Sequence, residues 1–136
     1  MESILSIFRD GWCIFRLGNF DFACSYLRDT PLELIEGVLR FMDTKEPQLV
    51  TLDGEDMGFA YVMIDWVVTT VYKDKRHRFR YKYSIDDFAK QLYKDINEKM
   101  DDIINDFYWG LYGTEEQAKN NLKKFLNKLA DRFSLE

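Results

Sequence analysis

Few side chains in this sequence have the types and the spacing that catalysis or metal binding requires. His77 is the single histidine, and Cys13 and Cys24 are the two cysteines. A histidine can act as a general base or a metal ligand, and a cysteine beside a histidine can act as a nucleophile. No cluster with metal-site spacing surrounds His77, and neither cysteine lies in a known nucleophile motif. We therefore predict a protein that is not an enzyme and that uses no metal and no cofactor.

The acidic turn Asp53-Gly54-Glu55-Asp56 is the one sequence that suggests cation binding. It lacks the ligand spacing of a calcium loop, and the glycines of the chain never form a phosphate-binding loop. We interpret it as a turn in contact with water.

A basic stripe is the first candidate for protein contact. It consists of Arg76, Arg78, Arg80 and Lys82, which alternate and would share one face of a strand. Such a stripe can bind an acidic protein, a phosphate or a nucleic acid. It can equally be the solvated side of a sheet, where charges resist edge-to-edge pairing. We favour the solvated side and keep the four residues as candidates.

A cluster of carboxylates and aromatic rings is the second candidate. Asp101 and Asp102 lie on the polar side of a predicted helix, close to Tyr108 and Trp109. Aromatic rings flanked by charge are common at the centres of protein interfaces. The same rings can instead cap the core where the last helix turns back, and we favour that interpretation.

Length and composition predict one globular domain over residues 1–136. The chain is 46% hydrophobic and 16% aromatic, which is typical of a folded protein. Its net charge of −5 weighs against nucleic-acid binding. The charge is uneven, because residues 73–83 hold six basic residues and one acidic residue within an otherwise acidic chain.

The N-terminus and the cysteines predict a cytoplasmic protein without membrane association. The apolar part of residues 1–8 is too short for a signal peptide, and no apolar run approaches the roughly 18 residues of a membrane span. In the cytoplasm the two cysteines would be reduced thiols, although their predicted places in neighbouring strands also allow a disulfide.

The apolar spacing predicts six strands and three helices. Residues 1–10 fit either a helix or a strand. Thr30-Pro31-Leu32-Glu33 predicts a helix that Thr30 caps and Pro47 ends. Ser84 predicts the start of a long helix to about Leu111, and Thr114 with Gln117 predicts the start of the last helix. The predicted strands are Trp12–Leu17, Phe20–Leu27, Gln48–Leu52, Phe59–Ile64, Trp66–Tyr72 and Arg76–Tyr83.

The long helix has the clearest pattern. Its charged residues, Asp95 among them, are expected to face water. Its apolar residues recur every three or four positions and should face the core: Ile85, Phe88, Leu92, Ile96, Met100, Ile103 and Phe107. The element order ββα-ββββ-αα predicts an α+β fold, with a single twisted antiparallel sheet of about six strands and the helices packed on one face.

Three segments resemble a loose group of small bacterial one-domain α+β proteins of uncharacterised function. They are Gly11-Trp12-Cys13-Ile14-Phe15, Leu52-Asp53-Gly54-Glu55 and Ser84-Ile85-Asp86-Asp87-Phe88-Ala89. The resemblance covers residues 11–112. In size and acidity the chain is also similar in type to the immunity proteins of bacterial toxin systems, a likeness that assigns no site residue.

These observations predict a non-catalytic protein-binding module, such as an immunity protein that neutralises a toxin-like partner. Two alternatives stay open. One is a small-molecule binder or unrecognised enzyme with a pocket between sheet and helices, near Trp66, His77 and Tyr81. The other is a self-associating structural protein, so that the chain is either a monomer or a homodimer.

Overall fold

The computed structural model describes residues 2–71, 78–108 and 112–135, with the backbone alone for residues 71 and 78–82. Its strands are Leu5–Arg9 (β1), Trp12–Leu17 (β2), Phe20–Ser25 (β3), Gln48–Asp53 (β4), Phe59–Ile64 (β5), Val67–Val71 (β6) and Arg78–Ser84 (β7). Its helices are Thr30–Thr44 (α1), Ile85–Glu98 (α2), Met100–Asp102 (α3) and Glu115–Phe133 (α4).

The chain is α+β, but the prediction of a single sheet is wrong. The strands form two antiparallel sheets, β1-β2-β3 and β4-β5-β6-β7. Helix α1 separates β3 from β4 in the sequence, and no backbone hydrogen bond joins these two strands within the described residues. The sheets do touch, since a Cβ placed on Gly54 would lie 2.8 Å from Cζ of Phe22 in β3.

Strand β1 is the element that the sequence left ambiguous. Its pairing with β2 shifts register between Ser6 and Arg9, and Ile7 between them has φ of 54°. A β-branched residue rarely adopts this left-handed conformation. The shift explains why the apolar residues of the segment show neither a strand nor a helix period.

The cap of helix α1 lies one residue earlier than predicted. Asp29, not Thr30, is the cap, since its Oδ1 accepts a hydrogen bond from the Leu32 backbone N–H at 3.2 Å. Thr30 is fully buried in the first turn, and its hydroxyl has no hydrogen-bond partner. The helix packs tightly on the four-stranded sheet, because a Cβ on Gly37 would lie 2.7 Å from Cδ1 of Ile64.

The predicted stripe of the long helix is confirmed, but the helix is not continuous. Ser84 caps α2 as predicted, with its Oγ accepting from the Asp87 N–H at 3.2 Å. After α3 the backbone forms a π-helical turn, Ile103–Phe107, in which the Tyr108 N–H donates to the carbonyl of Ile103. The predicted apolar positions are all buried: Ile85, Phe88, Leu92, Ile96, Met100, Ile103 and Phe107.

Helix α4 follows its predicted start. Thr114 and Gln117 form the reciprocal capping box, with two hydrogen bonds of 3.1 Å. Its inward side chains, Ala118, Leu122, Leu126 and Leu129, are buried and join the side chains of both sheets in one core.

Candidate functional site

The four-stranded sheet has one face in the core and one face open to solvent. Along β4, β5 and β6 the side chains alternate between the two faces. The inward ones, such as Val50, Leu52, Val62, Ile64 and Val68, are 5% exposed or less. The described side chains between them form the outer face: Leu49, Thr51, Asp53, Phe59, Tyr61, Met63, Val67 and Thr69.

This outer face is apolar and uncovered. Leu49 is 56% exposed and Phe59 is 45% exposed, while Tyr61 and Met63 are half-buried beside them. The register places Met63 directly between Leu49 and Thr69 on the neighbouring strands. Among the eight described outer-face side chains of β4, β5 and β6, only Asp53 is charged. A surface rich in aromatic residues and Met but poor in charge is typical of the centre of a protein interface.

Trp66 is exposed at the end of the sheet, but its ring lies on the α1 side and not on the outer face. It lies between β5 and β6. Its backbone N–H donates to Asp65 Oδ1 at 2.7 Å, and its backbone carbonyl accepts from the Ile85 N–H at 3.0 Å. The Phe41 ring lies nearly perpendicular to the Trp66 ring, with 5.0 Å between the centroids, and Lys45 Nζ lies 4.9 Å from the centre of the Trp66 ring. The ring is 55% exposed. An exposed but oriented Trp loses little side-chain freedom when a partner binds.

The opposite end of the outer face is acidic. The connection from β4 to β5 carries Asp53, Glu55 and Asp56, followed by Met57, which is 62% exposed. Asp53 Oδ1 accepts from the Glu55 N–H at 2.8 Å and thereby fixes the turn. An apolar centre with carboxylates at its rim favours a partner with a basic rim.

A second cluster of polar side chains is buried. Asp29 is 9% exposed, and its carboxylate accepts hydrogen bonds from the hydroxyls of Tyr108, at 3.0 Å, and Tyr112. Burial raises the pKa of Asp29 above its usual value, although the bonds from Tyr112, Leu32 and Tyr108 act in the opposite direction. Burial also raises the pKa of Tyr108 and of Tyr112, and the nearby Asp29 adds to both effects.

Cys13 and Cys24 lie next to this cluster. They face each other in the β2–β3 register, and both are free thiols with no exposed surface. Burial raises the pKa of Cys13 well above its usual value, and contacts with Cys24 and Asp29 raise it further. A buried thiol held in its neutral form is a poor nucleophile. The geometry therefore makes this cluster a structural anchor between α1 and the segment around Tyr108.

Asp95 is the other buried carboxylate, and the prediction that it faces water is wrong. It is 3% exposed, and its Oδ2 accepts from the N–H groups of Ile4, at 2.6 Å, and Leu5, at 3.1 Å. Gln91 donates to its Oδ1 at 2.8 Å. Helical spacing alone gives no signal for this role, because the partners lie at the other end of the chain.

The structure separates the residues predicted for protein contact. Asp101 and Asp102 are exposed, and Asp101 pairs with Lys119 at 3.4 Å. Tyr108 is 2% exposed, so it belongs to the core, which agrees with the favoured interpretation of these rings. Trp109, Arg76 and His77 lie outside the described residues. For Arg78, Arg80 and Lys82 the backbone alone is described, in β7.

Two concave regions of the described surface lie between helices rather than near Trp66. One cavity of about 720 Å³ lies between α1 and α4, with Leu39 and Phe125 among its lining residues. Another of about 690 Å³ lies between α2 and the end of the chain, and Tyr93 and Phe133 contribute to it. Side chains of both signs of charge line each one.

No family model, no curated protein and no solved structure matches this chain. None of the helices in the described part combines the length and the apolar character that a bilayer crossing requires. Among the same residues, no group of three or more His, Cys, Asp or Glu side chains could hold a metal ion.

Proposed function

We propose that this chain is a non-catalytic protein-binding module of the cytoplasm that holds its partner on the outer face of the four-stranded sheet. One observation carries the proposal: Leu49, Phe59 and Val67 are 56%, 45% and 38% exposed on the outer face of one sheet. A monomeric protein rarely exposes a contiguous apolar surface of this kind without a binding role.

The charge of the chain indicates the chemistry of the partner. The protein carries a net charge of −5, and carboxylates border the outer face at Asp53, Glu55 and Asp56. A partner with an apolar centre and a basic rim would match this surface and would be attracted to it at long range. A toxin that acts on nucleic acid needs a basic surface. The most concrete form of the proposal is therefore an immunity protein that covers such a surface.

The proposal is tested by capturing a partner from the native organism with three versions of the chain. The first is the wild type and the second is Phe59→Lys/Tyr61→Lys, which places two lysines on the outer face. The third is Leu27→Lys, a matched control, because Leu27 is 57% exposed but precedes α1 and lies outside the sheet. We expect the wild type and Leu27→Lys to capture the same protein and the double variant to lose it.

The captured protein is then produced alone and together with each version of the chain. We expect growth to stop when it is produced alone, and to recover with the wild type and with Leu27→Lys but not with the double variant. Equal capture by all three versions would refute the outer face as the site. A captured protein that never affects growth would refute toxin neutralisation.

Self-association is the second candidate, because an apolar sheet face can also pair with its own copy around a two-fold axis. Light scattering at high micromolar concentration separates the two candidates. A monomer mass for the wild type excludes the dimer, whereas a dimer that Phe59→Lys/Tyr61→Lys converts to a monomer would favour it.

A further inference from the structure

Strand β4 is an edge strand of the four-stranded sheet, and its end next to Gly54 lies against Phe22 of β3. Gly54 N–H donates to the carbonyl of Gly58 at 2.8 Å, and the β4–β5 register continues from this pair without a shift. In an antiparallel ladder, hydrogen-bonded and non-hydrogen-bonded pairs alternate. Leu49, Thr51 and Asp53 are therefore non-hydrogen-bonded positions, and their backbone N–H and C=O groups point away from β5.

No described residue donates a hydrogen bond to this side of β4 or accepts one from it. The strand also lacks the features that usually protect an edge. Its sequence QLVTLD contains no Lys, no Pro and no bulge, and only the last residue is charged. An edge of this kind is able to pair with a further strand.

A small cavity of about 180 Å³ lies beside this edge, between β4 and the first turns of α1. Gln48, Leu49 and Val50 line one side of it. Two ion pairs line the other side, Glu33 with Arg28 at 2.6 Å and Glu36 with Arg40 at 3.8 Å.

The carboxylates are the less exposed members of these two ion pairs. The side chains of Glu33 and Glu36 are 27% and 33% exposed, whereas those of Arg28 and Arg40 are 42% and 70% exposed. The cavity lining is balanced in charge, and the net charge of −5 of the whole chain is what favours a basic occupant that meets these carboxylates.

We propose that β4 accepts an extended basic segment of the partner polypeptide as an additional strand. This inference rests on the proposed function and names the way in which the partner attaches. The added strand exchanges backbone hydrogen bonds with Leu49 and Thr51. Its alternate side chains point towards α1, where Lys or Arg meets Glu33 and Glu36, and the side chains between them extend the outer face beside Leu49.

A pool of random heptapeptides, selected on the immobilised full chain, tests this proposal without the native partner. The key variant is Leu49→Pro, which removes the outward N–H and leaves the ladder to β5 intact, since proline is tolerated at such edge positions. Leu49→Val is the matched control, because it keeps the N–H and an apolar side chain. Circular dichroism on both variants verifies that they are folded.

We expect enriched peptides with Lys or Arg at alternate positions that bind the wild type and Leu49→Val similarly. Their affinity for Leu49→Pro should fall by about tenfold or more, because a hydrogen bond is lost and its partner is left unpaired. Glu33→Gln/Glu36→Gln should weaken the same peptides. N-methylation of the peptide amides that pair with β4 should abolish binding, whereas N-methylation of the alternate amides should not. This comparison uses the wild-type chain, so it holds even if Leu49→Pro fails to fold.

The proposal is overturned if no enriched peptide distinguishes the two sets of N-methylated amides, or if the peptides lack alternating basic residues. Such a result leaves capture of a partner by the outer face unaffected. Conversely, edge-binding peptides together with a chain that captures no partner would refute the proposed function and leave the strand addition standing.

Discussion

The two sheets of this chain differ in the hydrogen bonding of their edge strands and in the side chains of their outer faces. On the three-stranded sheet, the edge donors of Ile4 and Leu5 are bound by the buried carboxylate of Asp95. Its outer face carries a cross-strand ion pair, Arg16 with Asp21 at 2.6 Å. On the four-stranded sheet, the β4 edge has no described hydrogen-bond partner, and the outer face is apolar.

Apolar exposure is not confined to the four-stranded sheet, since Ile7 in β1 is 63% exposed, but in the four-stranded sheet Leu49, Phe59 and Val67 share one face. In the three-stranded sheet, the carboxylate of Asp95 in helix α2 binds the N–H groups at the edge of β1. This fold can therefore protect a strand edge with a side chain from a helix. Within the described residues, the β4 edge of the four-stranded sheet has no such side chain, and Leu49 in this strand is exposed to solvent. The edge of the three-stranded sheet therefore helps to hold the fold together, whereas the four-stranded sheet leaves apolar side chains in contact with solvent.

The largest expected effect comes from opening the closed edge. Asp95→Ala removes three hydrogen bonds and leaves the buried N–H groups of Ile4 and Leu5 unpaired, so the free energy of unfolding should fall by about 3 kcal/mol. Urea denaturation measures the change. Glu98→Ala, on the exposed side of the same helix, is the control and should change stability by less than about 0.5 kcal/mol. Equal effects of the two substitutions would contradict the role of Asp95.

The next effect concerns the covered face of the four-stranded sheet. Gly37→Ala places a Cβ 2.7 Å from Cδ1 of Ile64 and 2.9 Å from Cγ2 of Val50. Overpacking should outweigh the better helix propensity of Ala and lower stability by about 1–2 kcal/mol. Ile64→Val removes Cδ1, so the double variant should be more stable than the sum of the single effects predicts. If the double variant instead shows the sum of the two single changes in stability, Gly37 and Ile64 do not contact each other and α1 lies farther from the sheet than 2.7 Å implies.

The buried cluster at Asp29 should give a smaller effect that depends on pH. Because burial raises the folded-state pKa of Asp29 above 3.8, the folded chain holds this proton more tightly than the unfolded chain does. The contribution of Asp29 to stability is therefore fully present below pH 3.8 and is lost as the pH rises through its folded-state pKa.

Asp29→Asn keeps a helix-capping side chain but does not titrate. The difference in free energy of unfolding, wild type minus Asp29→Asn, should decrease from pH 3.5 towards neutral pH. Tyr112→Phe removes a bond that lowers the pKa of Asp29, so it should move this decrease to higher pH. Urea denaturation across this pH range measures both, and a difference that rises with pH would contradict the direction of the pKa shift.

The smallest effect is expected on the outer face. Phe59→Ser alters a side chain that is 45% exposed, so stability should change by no more than about 0.5 kcal/mol. Phe22→Ser, in the buried face of β3, is the contrasting substitution and should destabilise the protein by about 3 kcal/mol or more. Thermal unfolding compares the two variants. A large loss for Phe59→Ser would mean that the outer face is needed for folding.

Local patterns predicted the helices well because the relevant interactions lie within a few residues. The stripe from Ile85 to Phe107 and the capping box at Thr114 depend on neighbours three or four positions away. The same local reasoning failed to choose between two adjacent capping residues, Asp29 and Thr30. The choice of Asp29 depends on Tyr108 and Tyr112, far along the sequence.

The arrangement of the strands was less predictable. Sequence gives no measure of whether β3 pairs with β4 across α1, and the single sheet was the simpler expectation. The segment Phe59–Ile64 is apolar at almost every position, which is typical of a strand buried on both sides. Only the structure shows that Phe59 and Tyr61 point to the uncovered face, so the sequence analysis missed them as candidate binding residues.

The bond from Asp95 to Ile4 also has a consequence for how the protein is made. The two residues are 91 positions apart, and a ribosome adds roughly 5–20 residues per second. For several seconds the newly synthesised N-terminal strand therefore exists without the carboxylate that later closes it. During that interval the edge of β1 is open in the nascent chain, and it is then most exposed to pairing with the wrong strand.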